Sequence, residues 1–215
     1  GLKDAVEAGG YIKLNANITA SIEITNEVHL DLNGKTLTNE AGKPTITVAN
    51  GGSLTVDGSG TVDNVSHAKP AVLNQQGGTV VLSGGSYTRS KEDSEKNSFY
   101  NLQNLGTMTI NSGVSVTADG HYSSLVANGW KDGSQNTAQE EANLTITGGN
   151  FSGGLNTIKN DDWGVLEISG GNFSNTTQAT VMNWNKATVS GGTFTSEADV
   201  FANGFINDSS DKGEL

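Results

Sequence analysis

Leu144-Thr145-Ile146-Thr147-Gly148-Gly149-Asn150-Phe151-Ser152 decides the fold, because the chain repeats it as Leu166-Glu167-Ile168-Ser169-Gly170-Gly171-Asn172-Phe173-Ser174. Each copy is an apolar-x-apolar triplet, a Gly-Gly turn and an apolar anchor. Ala187-Thr188-Val189-Ser190-Gly191-Gly192-Thr193-Phe194 and Val80-Val81-Leu82-Ser83-Gly84-Gly85-Ser86-Tyr87 follow the same template. Leu30, Leu32, Gly34 and Leu37 match it, as do Leu54, Val56, Gly58 and Val62 with one extra residue, and Met108-Thr109-Ile110 opens the most degenerate copy. A second motif places Asn two residues after an apolar residue: Ile24/Asn26, Val48/Asn50, Val72/Asn74, Leu102/Asn104, Val126/Asn128, Ile158/Asn160, Val181/Asn183 and Phe201/Asn203.

The triplets recur about every 21 to 28 residues, with one longer step where Gly129 to Asn143 is inserted, which is the period of stacked solenoid coils. Alternation with Thr, Val and Ile makes each triplet a short strand. A chain that coils continuously supplies the return path that parallel strands need. The expected fold is therefore all-β: a right-handed parallel β-helix of about eight coils, with strands stacked about 4.8 Å apart. Asn at one fixed turn position can donate its side-chain amide to the coil above, forming a ladder that satisfies corner backbone groups. The same residue type also tolerates left-handed turns.

Residues 1–18 read as an N-terminal cap: a short amphipathic helix from Leu2 to Ala8, stopped by Gly9-Gly10, then a strand from Tyr11 to Leu14. Residues 19–206 form the β-helix, with loop insertions near 89–98 and 129–143. Residues 207–215 read as a solvated tail leading into a further domain, because open solenoid ends invite aggregation unless covered. There is no Cys, which rules out a disulfide framework or a zinc-thiolate site. No apolar run is long enough to span a membrane. A net charge of -11 with Arg89 as the only arginine argues against nucleic acid, whose phosphates need clustered cations.

The opening coils, Tyr11-Ile12-Lys13-Leu14-Asn15-Ala16-Asn17-Ile18-Thr19 through Leu30-Asp31-Leu32-Asn33-Gly34-Lys35-Thr36-Leu37-Thr38, resemble those of pectin-lyase-like β-helix domains. The Gly-Gly-x-Phe coils extend the likeness over nearly the whole chain. It is narrowest with domains from large secreted or wall-anchored surface proteins (adhesins) of gut Gram-positive bacteria. The resemblance implies an extracellular module on the bacterial cell surface that displays loops for adhesion or host contact. The wider superfamily also contains polysaccharide lyases and hydrolases.

Lyase chemistry needs a Ca²⁺ site of several carboxylates beside a base. Asp161 and Asp162 are adjacent, with Lys159 and Lys186 nearby, but extended-chain alternation would point the two carboxylates apart. Asn160-Asp161-Asp162 is only a partial echo of the galacturonan-hydrolase pattern, and Gly120-His121-Tyr122 departs from it. An acid-base pair drawn from Asp161, Asp162 and Glu167 is the enzymatic alternative. The preferred reading assigns no catalytic residue. His29 reads as an outward strand residue, and His67 and His121 as loop residues; no metal-ligand run occurs, so neither cofactor nor structural metal is expected. Weak Ca²⁺ binding by Glu92, Asp93 and Glu95, or by Glu140 and Glu141, is weighed against ordinary wet charged loops.

Trp130, Trp163 and Trp184 each follow a motif Asn by one to three residues, so a stripe of rings is expected, either facing outward for a ligand or filling gaps at a wide corner. Tyr100 and Tyr122 border the two insertions, where a rigid solenoid normally carries recognition. The binding expectation is thus Trp130, Trp163, Trp184, Tyr100 and Tyr122, facing a host glycan or a host protein such as mucin or secreted antibody. An inert stalk is the third alternative.

Overall fold

Apolar-x-apolar alternation turns every triplet into a half-buried strand, and in the computed structural model these strands stack in parallel. The structure describes residues 1–93, 95–130, 140–196, 199–203, 205–206 and 211–212. The chain is a right-handed parallel β-helix of about seven turns, with three sheets of eight strands around one apolar core. The first sheet runs from Gly10–Lys13 to Lys186–Val189, the second from Ile18–Thr19 to Thr193–Ser196, and the third from Ile22–Ile24 to Asp199–Asn203.

Register lines up the inward side chains in files. The first sheet stacks Ile12, Leu30, Val56, Leu82, Ile110, Ile146, Ile168 and Val189. The second stacks Ile18, Leu37, Val62, Tyr87, Val116, Phe151, Phe173 and Phe194. The last three rings lie face to face with centroids 4.8 Å apart, the spacing of the strands themselves. Tyr87 is fully buried in the same file, and its hydroxyl donates to the Gly84 carbonyl at 2.9 Å.

The Gly-Gly turns follow from this stacking. A Cβ on Gly170 would stand 2.3 Å from the Thr147 carbonyl oxygen of the preceding coil. Gly171 has φ 106, and a Cβ there would press on the Phe173 ring at 3.0 Å. The first glycine permits close coil stacking; the second permits both the left-handed turn and the ring beneath it.

Helix α1 (Leu2–Ala8) buries Val6 against the first coil and ends at Gly9, φ 75. The strand expected at Tyr11 to Leu14 runs Gly10–Lys13 and is the first strand of the first sheet. In the segment expected as tail, Asp211–Lys212 pairs antiparallel with Phe205–Ile206; residues 207–210 and 213–215 lie outside the described residues.

The ladder is present, but it begins two coils later than expected. Nδ2 of Asn74 donates to Oδ1 of Asn104 at 2.8 Å, Asn104 to Asn128 at 2.7 Å, Asn128 to Asn160 at 2.8 Å and Asn160 to Asn183 at 2.8 Å. Asn203 pairs with Asn183 in backbone register. Asn26 and Asn50 are outside the file: Ile24 and Val48 occupy its first two positions. Asn26 instead donates to the Glu7 carbonyl, tying α1 to the first coil, while Asn50 is exposed. The early triplet shifts the same way, since Val28 and Leu30, not Leu30 and Leu32, align with Leu54 and Val56. The physical reason is that the first coils place one more apolar residue before the corner.

A second set of buried Asn braces the wide corner between the second and third sheets. Asn64 donates to the carbonyls of Lys43 and Pro70, Asn101 to those of Tyr87 and Thr117, and Asn175 to that of Gly154. Sequence reading missed these because no fixed spacing marks them.

Candidate functional site

In the later coils the outer face of the third sheet is more deeply buried than that of the first. Ala127, Thr157, Thr180 and Met182 point outward there and are all buried, whereas Glu167 and Thr188 on the first sheet are exposed. Lys159 sits in register between Ala127 and Met182 on this face. Its ammonium lies 2.8 Å from Oδ2 of Asp161, 5.2 Å from the Trp184 ring centroid and 5.8 Å from that of Tyr100. Burial alone would pull the amine down, but the Tyr100 and Asp161 oxygens outweigh it and hold Lys159 above the usual lysine range.

Backbone register places this cluster at the turn after the ladder. The Asp161 amide donates to the Asn128 carbonyl and the Trp184 amide to the Asn160 carbonyl, so Gly129, Asp161 and Trp184 occupy successive coils at the same corner position. Trp130 bridges antiparallel to Asp162, its amide 2.9 Å from the Asp162 carbonyl. Trp163 has φ 64, a left-handed conformation that a bulky side chain rarely adopts and that recurs at binding sites.

All three tryptophans are half-buried and converge on this corner, but at different turn positions. Among the described residues no ring contact joins two of them; the stacked file is made by phenylalanines inside the coil. Tyr100 joins the cluster and stands 4.8 Å from Phe99. Tyr122 is 61% exposed in the connection to the third sheet and makes no ring contact among the described residues.

The enzymatic candidates separate. Asp161 and Asp162 are buried together, Asp161 engaged by Lys159 and by the Asp162 amide, while Glu167 stands on the exposed face of the first sheet. A lysine held protonated by its carboxylate is a donor and a counter-charge, not a general base. Lys186 is exposed on the first sheet, in register with Val165, and its carbonyl accepts from Nδ2 of Asn160, the neighbour of Lys159.

The first insertion is the wet loop expected at its tip, where Lys91, Asp93, Glu95 and Lys96 are exposed, but not at its base. Arg89 is fully buried and donates to the carbonyls of Lys69, Ser66 and Asn97. Glu92, its side chain 4% exposed, lies 3.8 Å from that guanidinium. Asp93 is spent on the amides of Glu95, Lys96 and Asn97, which hold its carboxyl below the usual range. Glu140 and Glu141 are exposed, and residues 131–139 of the second insertion lie outside the described residues. Among the described residues no group of three acidic or histidine side chains converges in a way that could hold a metal ion.

Comparison with known proteins finds no family model, no curated protein and no solved structure that matches the chain. The class is defined by the geometry alone: a parallel β-solenoid, consistent with the pectin-lyase-like fold, carrying an aromatic and charged corner.

Proposed function

We propose that the chain is a non-catalytic binding or adhesion module of a bacterial extracellular surface protein, recognising a host glycan or host protein at the corner around Trp184. The observation that carries this reading is Lys159, paired with Asp161 at 2.8 Å and lying against the rings of Trp184 and Tyr100, at a corner whose turns also carry half-buried Trp130 and Trp163. Rings held in place by a buried charge and a rigid ladder lose little entropy on binding. The pectin-lyase-like character of the coils supports the placement at the surface of a gut Gram-positive cell.

The test is a glycan array together with pull-down from mucus and serum. Trp163→Ala and Trp184→Ala each weaken a genuine interaction about ten-fold or more. Undiminished binding by both variants contradicts the site, and no ligand in either assay leaves the stalk reading in its place. A second reading, a polysaccharide lyase or glycoside hydrolase, rests on the two buried carboxylates Asp161 and Asp162 beside Lys159. It requires unsaturated or reducing-end products from uronans or neutral glycans, abolished by Asp161→Ala.

A further inference from the structure

A second cluster lies on the outer face of the first sheet, far in register from Lys159. Tyr11 is 63% exposed, yet its ring is fixed: the hydroxyl donates to Oδ2 of Asp31 at 3.0 Å, and the ring meets His29 edge-on with centroids 5.1 Å apart. Asp31 is itself anchored by the Asn33 amide at 2.8 Å and by Lys13 at 3.8 Å. His29 Nε2 lies 2.6 Å from Oδ2 of Asp57, the residue that pairs with Asp31 on the next coil. Nothing in the packing of the core requires an outward aromatic at this place. Leu30 and Val56 fill the interior behind it.

We propose that Tyr11 is the stacking platform of a neutral-glycan site, with Asp31, Asp57 and His29 as its hydrogen-bonding rim. The C–H bonds on one face of a hexopyranose match the negative face of an aromatic ring, and a ring already held by its hydroxyl presents that face at little entropic cost. Carboxylates flanking the ring accept bonds from sugar hydroxyls, and charge-assisted bonds of this kind are the stronger ones. Charge selects the class of sugar. Two carboxylates against one lysine and a histidine repel uronic and sialic acids, so a neutral hexose or N-acetylhexosamine is the ligand. This site stands apart from the third-sheet corner and does not depend on it.

The experiment is a ¹H–¹³C NMR titration of the full chain with tetrasaccharides of galactose, of N-acetylglucosamine and of galacturonate. The proposal expects one of the neutral sugars to shift the Tyr11 and His29 ring signals, and the acidic one to leave them in place. Tyr11→Ala weakens that binding about ten-fold or more. Asp57→Asn weakens it less and leaves the fold intact, as read from an unchanged core spectrum. Shifts confined to the Trp184 and Tyr100 signals would overturn this site; shifts confined to Tyr11 and His29 would support it and leave the corner to its own test. Tighter binding of galacturonate, unchanged affinity in Tyr11→Ala, or no shift with any sugar each overturn the proposal.

Discussion

Nδ2 of Asn104 donates to Oδ1 of Asn128 on the next coil at 2.7 Å, and both side chains are fully buried. Amides in this file also donate to backbone carbonyls at the corner: Asn104 to Gly106 of its own coil and to Asn143 of the next, Asn128 to Ala142. One residue type thus closes the corner within a coil and fixes the height of the next. Lys159 precedes Asn160 and Trp184 follows Asn183, so the ladder also sets the relative positions of the groups in the candidate site.

Removing a rung therefore leaves buried partners unpaired. Asn128→Ala should cost about 2–4 kcal/mol, whereas Asn50→Ala, at an exposed position outside the file, should stay within about 0.5 kcal/mol. Urea unfolding of the two variants measures the difference. Equal losses would mean that the early Asn belongs to the ladder after all.

How much of this was legible follows from those two residues. The triplets and Gly-Gly turns carry their own spacing, so Leu144/Ile146 and Leu166/Ile168 fall into register from sequence alone. Asn50 obeys the same apolar-x-Asn pattern as Asn74, but the pattern occurs there in a second phase, two residues beyond the corner. Only pairing between Val48 and Asn74 resolves the phase, and that is a contact between coils. Arg89 was illegible for a different reason. A run of charged residues looks solvated until one sees three backbone carbonyls turned toward the guanidinium. The tryptophans are legible by position, but their offsets of one to three residues after the Asn, which put them at different points of the turn, read as a single stripe.

Gly171 tests the turn. Gly171→Ala forces a side chain into φ 106 and into the Phe173 ring, and should cost about 2–3 kcal/mol. Gly51→Ala, with a positive φ but open space around it, pays only the backbone part. Thermal unfolding of both separates the ring contact from the turn.

Glu92 tests the first insertion. Burial pushes its carboxyl above the usual range, against the opposing pull of Arg89 and the Phe99 amide. A raised folded value means that the group's stabilising contribution is complete below the unfolded value of about 4.3 and is lost as pH rises through the folded one. Glu92→Gln should then be at least as stable as the parent at pH 7, with the advantage vanishing toward pH 4. Urea midpoints at the two pH values decide it, and a less stable Gln variant at pH 7 contradicts the account.

Lys159 tests the corner. Its folded value is raised, so its contribution is complete below about 10.4 and is lost as pH climbs through the folded value. Asp161→Asn leaves burial less opposed and should lower the amine's titration point, which ¹⁵N NMR of the ammonium reads directly. Loss of the charge partner should also cost about 2–4 kcal/mol. An amine that titrates unchanged in the variant would show that Asp161 is not its counter-charge.

The most direct measurement of the central claim, that stacked side-chain amides hold the coils in register, is hydrogen exchange at the Asn Nδ2 groups. The Asn104, Asn128 and Asn160 amides should be protected as long as the backbone amides of the third sheet, while that of Asn50 exchanges at the rate of an exposed side chain. Equal, rapid exchange at all four positions would contradict the ladder.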